Sequence, residues 1–254
     1  VIIKNIKITI EYDGTSFSGW QVQPDKRTVQ QEIETALKSL LGYEVKIIGA
    51  GRTDAGVHAL GQVANFKINS DIPVDAFKFG LKKYLPDDII VLNAEQVSLN
   101  FNSRRDAVKR TYRYVLSRKK RAIGRNYSWM PLFTFDPELM KKAVRFLLGE
   151  HDFSSFCKVK SNTGDCLSTV FRADIIEEEE YIIFEIEAIR FFHNMIRIIV
   201  GTLLEVGRGT IDIDDFNNIL NNRDRTKAGP TVPPKGLFLV NVEYPKHKIN
   251  TEEK

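Results

Sequence analysis

Cysteine, histidine and long apolar runs are what this sequence has least of. Only two cysteines, Cys157 and Cys166, stand among 254 residues, and they form neither a CxxC pair nor a set with a histidine at metal-ligand spacing. Neither a zinc site nor a disulfide framework is signalled, and the two read as reduced cytosolic thiols. The four histidines show no HxxxH or HxH spacing, so His58 and His193 read as local hydrogen-bond formers rather than ligands. No apolar run approaches the ~18 residues of a membrane-spanning helix. The opening VIIKNIKITIEYDG shows no basic leader and no small-residue cleavage site, so secretion is not expected.

A strong net charge is missing too. Thirty-seven Lys and Arg face 33 Asp and Glu, a formal +4, too little to decide whether a partner is acidic. With 43% apolar and 28% charged residues the chain has material for one large core or two modest ones, which excludes disordered and collagen-like classes. The distribution of charge says more than its sum. Between Arg104 and Arg125 ten basic residues meet one acid, Asp106, whereas Asp174 to Glu187 holds seven acids and no Lys or Arg. A dipolar layout of this kind favours a polyanion on one face, through neutralisation and counterion release. Solvated faces of ordinary strands produce the same pattern.

Alternation at Ile6, Ile8, Ile10 and Tyr12 predicts a half-buried strand. A Gly-rich loop follows. Thr28 then opens a helix with Gln31 three residues on, a capping-box pattern, and Val29, Ile33, Ala36, Leu37 and Leu40 recur at helical spacing until Gly42. Strands are predicted over 45–48 and 62–68, a helix over 74–85 and a strand over 89–97, so that the first unit ends near Phe101. A strand over 107–117 opens the second and places Val108, Arg110, Tyr112, Tyr114 and Leu116 on one face. Asp136 and Pro137 cap a helix running to Gly149. Segments 169–176 and 181–189 form a hairpin through the EEEE run, helices follow near 192–206 and 214–221, and a strand covers 237–244. The expected fold is α+β in two halves, 1–101 and 102–254, a layout that puts a cleft between them.

The most unusual segment is Gly49-Ala-Gly-Arg-Thr-Asp-Ala-Gly-Val-His-Ala59, which holds Arg52 and Asp54 among its glycines. It is a poor nucleotide fingerprint: Asp54 stands where the third glycine of GxGxxG belongs, and no GK[ST] follows. A plain tight turn with Asp54 as a local backbone acceptor is the competing reading. Arg197 is the second oddity, a guanidinium in the apolar stretch Met195 to Leu204 that calls for a carboxylate partner. Asp54 is one candidate; pairing with another acid, or snorkelling to the surface, are the others. In Lys109-Arg-Thr-Tyr-Arg-Tyr114, finally, Arg110 and Tyr112 share a side of the strand, an arrangement that stacks an unpaired base while holding its phosphates. Cross-strand packing also employs such tyrosines.

Taken together, these segments resemble the tRNA pseudouridine synthase A family over nearly the whole chain. The resemblance is carried by Tyr12-Asp-Gly-Thr-Ser-Phe-Ser-Gly-Trp-Gln21, Arg27-Thr-Val-Gln30, Gly49 to Ala59 with Gly61-Gln-Val63, Arg110-Thr-Tyr112, Gly149-Glu-His-Asp-Phe153, Met195-Ile-Arg197 with Val200-Gly-Thr-Leu203, and Ala228-Gly-Pro-Thr231 with Gly236-Leu237. GRTDAGVHA is the most specific of them. Departures are small: Met-Ile-Arg replaces an expected Met-Val-Arg, and Asn194 stands where a second histidine is frequent.

The resemblance implies two RRM-like (ferredoxin-like) halves sharing a mixed, mostly antiparallel sheet with a central cleft. It implies a cytoplasmic homodimer that binds tRNA and converts uridines 38, 39 and 40 of the anticodon stem-loop to pseudouridine, with no cofactor, metal or membrane involved. Asp54 is then the essential catalytic carboxylate, and Arg197 keeps it ionised and aimed. Tyr112 stacks on the target base, and Arg52 assists its extrusion. Leu237 or Leu239 forms the wall beneath the uracil. Clustering alone marks Arg104, Arg105, Lys109, Arg110, Arg118, Lys119 and Lys120 as phosphate contacts. The competing functions are an RNA-binding or RNA-folding factor without chemistry, and a metal-dependent nuclease or hydrolase.

Overall fold

A computed structural model of the chain describes residues 3–158 and 166–246. The chain divides into two compact units. One runs to Arg110 and resumes at Phe238; the other spans Thr111–Leu237.

The first unit follows the order β1 (Ile3–Tyr12), α1 (Val29–Leu41), β2 (Ile48–Gly49), β3 (His58–Asn69), α2 (Asp75–Phe79) and β4 (Ile89–Val97). Its strands lie in the order β4-β1-β3, with β2 on β3, and all these pairs are antiparallel. The closing strand β9 (Leu237–Glu243) joins β3 in parallel, His58 opposite Phe238 and Ala59 opposite Leu239. That pairing groups the last strand with the first unit, whereas sequence order attaches it to the second half. Ile6, Ile8, Ile10 and Tyr12 are buried as the alternation predicts, and Val29, Ile33, Ala36 and Leu37 of α1 are buried with them. Each Ile, Leu and Val among them contributes about 1.5–3 kcal/mol on full burial. β1 is not half-buried throughout: Asn5 and Lys7 are covered too, Asn5 through bonds to the carbonyls of Ser98 and Phe101, Lys7 through an ion pair with Glu95 at 2.8 Å. A central strand has neighbours on both edges, and here residues 98–101 also close over its polar face.

Three local expectations shift for physical reasons. Thr28 does cap α1, but its hydroxyl makes no capping bond and Gln31 points outward, so no capping box forms. The helix over 74–85 is shorter than its periodicity suggests. It breaks at Gly80 into α2 and a 3-10 turn, Leu81–Lys83, a glycine costing about 1 kcal/mol in a helix interior. Of the strand over 45–48 only Ile48 enters a ladder; Val45 and Ile47 are buried without strand pairing.

β5 (Lys109–Ser117) begins with the last two residues of the first unit's leading segment, and in the second unit it leads to α3 (Pro137–Ala143), β6 (Gly149–Asp152), β7 (Leu167–Glu177), β8 (Tyr181–Ala188), α4 (Met195–Gly207) and α5 (Ile213–Asn222). The strand order is β5-β8-β7-β6, with β6–β7 and β7–β8 antiparallel. α4 is apolar nearly all round and is buried accordingly. It starts at Met195 rather than Phe192 because Asn194 takes a left-handed conformation, φ 62°, which ends helical geometry on its N-terminal side. Phe153, Phe156 and Phe216 form an aromatic cluster at the foot of the unit. Among the described residues, no helix is long and apolar enough to cross a membrane.

Cys157 and Cys166 are free, buried thiols whose sulfurs stand 2.7 Å apart, a juxtaposition their sequence spacing did not announce. Burial first, and the neighbouring Cys166 second, push the Cys157 thiol well above its ordinary range. Thiolate is the reacting species. Cys157 of the folded chain is therefore expected to react with a disulfide reagent at pH 8 at least roughly tenfold more slowly than in urea, as absorbance of the released thiol reports.

Candidate active site

The loop between β2 and β3 is tied at Ala50, Gly51, Thr53 and Gly56 to backbone and side chains of the first unit. Ala50 N donates to Val63 O at 2.7 Å, and Gly51 O accepts from the Gln62 amide at 3.0 Å. Thr53 is held twice: its carbonyl accepts from Trp20 N at 3.0 Å, and its hydroxyl bonds the Tyr12 hydroxyl at 2.7 Å. Burial pushes the Tyr12 phenol up to about 12, against the smaller opposing effects of Thr53 and Gln62, so it stays neutral and able to donate. Val57 N then closes a turn onto Asp54 O at 3.1 Å, with Gly56 supplying the positive φ of 75° that the turn demands. The tight-turn reading of this segment is thus correct for its backbone. It leaves the Asp54 side chain half-buried and Arg52 exposed, while Thr53 between them faces the core.

The segment Tyr12 to Trp20 is the mould of that loop. Gly14 N donates to His58 Nδ1 at 3.0 Å, and Gly56 N donates to Phe17 O at 3.3 Å. His58 is buried, stacks on Phe238 with centroids 4.8 Å apart, and has Asp13 Oδ1 3.1 Å from Nδ1. Gly14 approaches so closely that a Cβ there would stand 2.0 Å from Val57 O. The mould is itself anchored. Arg27 forks onto both oxygens of Asp88, at 2.7 and 2.9 Å, and lies over the Phe17 ring at 4.2 Å, while Asp13 N donates to Asp88 O at 3.1 Å.

Beside the loop, Arg104 and Arg105 are exposed on a turn whose backbone Asn102 organises: Oδ1 accepts from Arg104 N at 3.1 Å and from Arg105 N at 3.0 Å. Arg110 faces inward to this turn, its Nη2 donating to Arg104 O at 2.9 Å and to Ala50 O at 2.8 Å. Lys109 pairs with Glu243 at 3.1 Å. Leu239, opposite Ala59, is buried.

The second unit holds the remaining candidates. Tyr112 is 7% exposed and meets the edge of Phe191, centroids 5.0 Å apart. Arg197 does not snorkel. It is half-buried, with Nε donating to Val232 O at 2.7 Å and Nη1 to Asn194 Oδ1 at 2.9 Å, while its own carbonyl accepts from Val232 N at 3.3 Å. These bonds fasten the 228–232 segment to the first turn of α4. Next to them Tyr114 donates its hydroxyl to Pro233 O at 2.8 Å; burial raises its pKa further than the nearby Arg197 lowers it. Leu237 is buried as well.

Charge does not separate as its sequence distribution suggested. The basic run after β5 meets the acidic turn between β7 and β8: Arg118 pairs with Glu177 at 2.5 Å, and Lys119 and Arg121 both pair with Glu180. Lys141 and then Arg118 hold the Glu177 carboxyl below its usual range, and Lys119 and then Arg121 do so for Glu180. Lys120 is exposed. Among the described residues no group of three or more His, Cys, Asp or Glu is placed to hold a metal ion. The Tyr12–Thr53 and Gln62–Gly51 bonds and the Phe238–His58 stack are contributions that periodicity does not reveal, because each joins residues from separate elements; Asn102 acts locally, as an Asx turn that helical or strand periodicity does not mark. Gly14→Ala is expected to destabilise the chain by about 1–3 kcal/mol, through overpacking against Val57, as urea denaturation would measure.

Comparison with known proteins identifies the family. A family described as tRNA pseudouridine synthase matches residues 8–106 and 143–245, segments that include Arg52, Asp54 and Arg197 and leave Tyr112 between them. A tRNA pseudouridine synthase A of Caldicellulosiruptor bescii is 46% identical over 244 residues, 95% of this chain and 100% of its own. That of Clostridium acetobutylicum is 44% identical over the same shares, and that of Exiguobacterium sibiricum 42% identical over 97% and 99%. Among solved structures, a Cbf5-Nop10-Gar1 complex aligns at a TM-score of 0.33 and 12% identity, over 78% of this chain and 54% of that one. The chain belongs to the tRNA pseudouridine synthase family, isomerases that act on tRNA.

Proposed function

We propose that the chain converts uridines 38, 39 and 40 of the tRNA anticodon stem-loop to pseudouridine, acting as a cytoplasmic homodimer with Asp54 as its catalytic carboxylate. The observation that carries this reading is the loop itself. Residues 50–57 are bonded through their backbone to Phe17, Trp20, Gln62 and Val63, and through the Thr53 hydroxyl to Tyr12, yet present Arg52 and the Asp54 side chain away from the core. Such rigidity places a reacting group without an ordering cost at the moment of reaction. The β-α-β-β-α-β order of the first unit, with strands in the order β4-β1-β3-β2, supports the RRM-like reading of that half. Two free thiols fit a reducing compartment.

The reaction breaks the bond from uracil N1 to C1′, turns the base and forms a bond from C5 to C1′. The C5 proton leaves and N1 gains one, so the product is an isomer. The base must first leave the stack, and Arg52, exposed beside Asp54, is assigned to assist that step. Asp54 assists either by adding to the ribose or base or by accepting a proton from the sugar. Arg197 is assigned to aim the Asp54 carboxylate, with its guanidinium already fixed by Val232 and Asn194. Tyr112 is assigned to stack on the base, and Leu237 or Leu239 to wall the uracil. Arg104, Arg105 and Lys120, all exposed, suit phosphate contact; Lys109, Arg118 and Lys119 would first exchange their carboxylate partners.

Two measurements test this reading. Unmodified tRNA carrying tritium at C5 of uridine should lose tritium to water with the wild-type chain and not with Asp54→Asn; tight binding without release from wild type would favour a non-catalytic RNA-binding role. In the second, Glu177→Gln with Glu180→Gln frees Arg118 and Lys119 for phosphate. The plot of log affinity for tRNA against log salt should steepen by roughly 1.5, and an unchanged slope would remove this basic run from the interface.

A further inference from the structure

We infer that Arg110 is a positioning residue that couples the phosphate-facing Arg104–Arg105 turn to the alignment of the Asp54 loop. The inference rests on the proposed function and adds a role for a residue that charge clustering alone would assign to phosphate. Arg110 Nη2 carries two hydrogens. One is directed at Ala50 O, 2.8 Å away at the entry to the Asp54 loop, and the other at Arg104 O, 2.9 Å away on the exposed turn. A single nitrogen therefore clasps two loops that no strand ladder joins. Nε lies 4.0 Å from the position a Cβ would take on Gly51, so the guanidinium rests along the loop just ahead of Arg52 and Asp54.

The outer half of the clasp is preorganised. Asn102 Oδ1 accepts from the backbone of both Arg104 and Arg105, and Asn102 N in turn donates to Asp106 Oδ2 at 2.8 Å. This turn holds two exposed guanidinium groups outward and directs the Arg104 carbonyl inward to Arg110. A phosphate drawn to Arg104 or Arg105 loads the turn, and the Arg110 guanidinium links the Arg104 carbonyl directly to that of Ala50, beside a second tie from the Ser103 hydroxyl to Ile48 O. The inner half is equally stiff, because Ala50 N is bonded to Val63 O at 2.7 Å and Gly51 O to Gln62. A displacement at Ala50 O is thus passed along the loop rather than absorbed. Lysine cannot reproduce the clasp, since it lacks the planar, long-reaching donor that meets both carbonyls.

The positioning role and the phosphate role predict opposite kinetics. Arg110→Met and Arg110→Lys, assayed by tritium release from full-length tRNA, should each lower kcat by roughly a hundredfold. Affinity for tRNA should stay within about threefold of wild type, and the salt dependence of binding should not change. Circular dichroism melts identify any variant that does not fold, in which case the lysine variant carries the test. A weakened affinity with a salt slope shallower by about one, and kcat intact, would make Arg110 a phosphate contact and overturn the inference. So would restoration of full kcat by lysine. The coupling is read from a double-mutant cycle. Arg104→Ala should lower both affinity and kcat in the wild-type background but affinity alone in Arg110→Met; additive losses of kcat would overturn the coupling. Absence of tritium release from the wild-type chain would instead overturn the proposed function, so the two failures are distinct.

Discussion

The interlock between residues 12–20 and the loop ahead of β3 is the constraint on which the rest of the candidate site depends. Neither segment has regular structure of its own beyond one 3-10 turn, and each supplies the hydrogen-bond partners the other lacks. A buried loop would ordinarily carry unsatisfied backbone groups. Here Trp20 N meets the Thr53 carbonyl, Phe17 O the Gly56 N–H and Asp54 O that of Val57, so backbone can lie against backbone at the distance Gly14 permits. The consequence for function is that Asp54 and Arg52 are borne on irregular chain that is as constrained as a strand.

Arg197 shows the same economy in the second unit. Its side chain is held by a carbonyl and an amide oxygen, and the Arg197 backbone is bonded to the same Val232 that receives Nε. An arginine cannot relieve burial by losing its proton, so partial burial requires oxygen acceptors around it. Fixing the guanidinium in this way removes most of the rotamer freedom that pairing with a substrate-facing carboxylate would otherwise have to overcome. The surface basic run follows a different logic. Arg118, Lys119 and Arg121 meet the acidic turn of the β7–β8 hairpin, and exposed pairs of this kind contribute little to stability while governing which charges remain for a polyanion.

Much of this was legible from residues alone. The alternation of Ile6, Ile8, Ile10 and Tyr12, the spacing of α1 and the Asp136–Pro137 start of α3 are local signals, and the structure places all three as read. The oddity of GRTDAGVHA and of Arg197 in an apolar helix marked two segments that the structure holds by bonds to distant residues. What failed were inferences that treated neighbours in sequence as neighbours in chemistry. Thr28 and Gln31 have capping-box spacing and form none, because Gln31 faces outward. Opposite charge blocks far apart in the chain meet instead of forming a dipole. Cys157 and Cys166 come into contact although neither carries a recognisable pairing motif.

By itself the sequence determined the residue types, the periods of the strands and helices, and the family motifs, since these rest on local geometry and covalent order. Only the tertiary structure decided that Arg110 bonds two carbonyls rather than facing solvent, that Lys109, Arg118 and Lys119 carry carboxylate partners, and that β9 lies parallel to β3. Hydrogen bonds and ion pairs between distant segments depend on which backbone groups the folded chain leaves unpaired, and that is set by packing, not by spacing along the sequence.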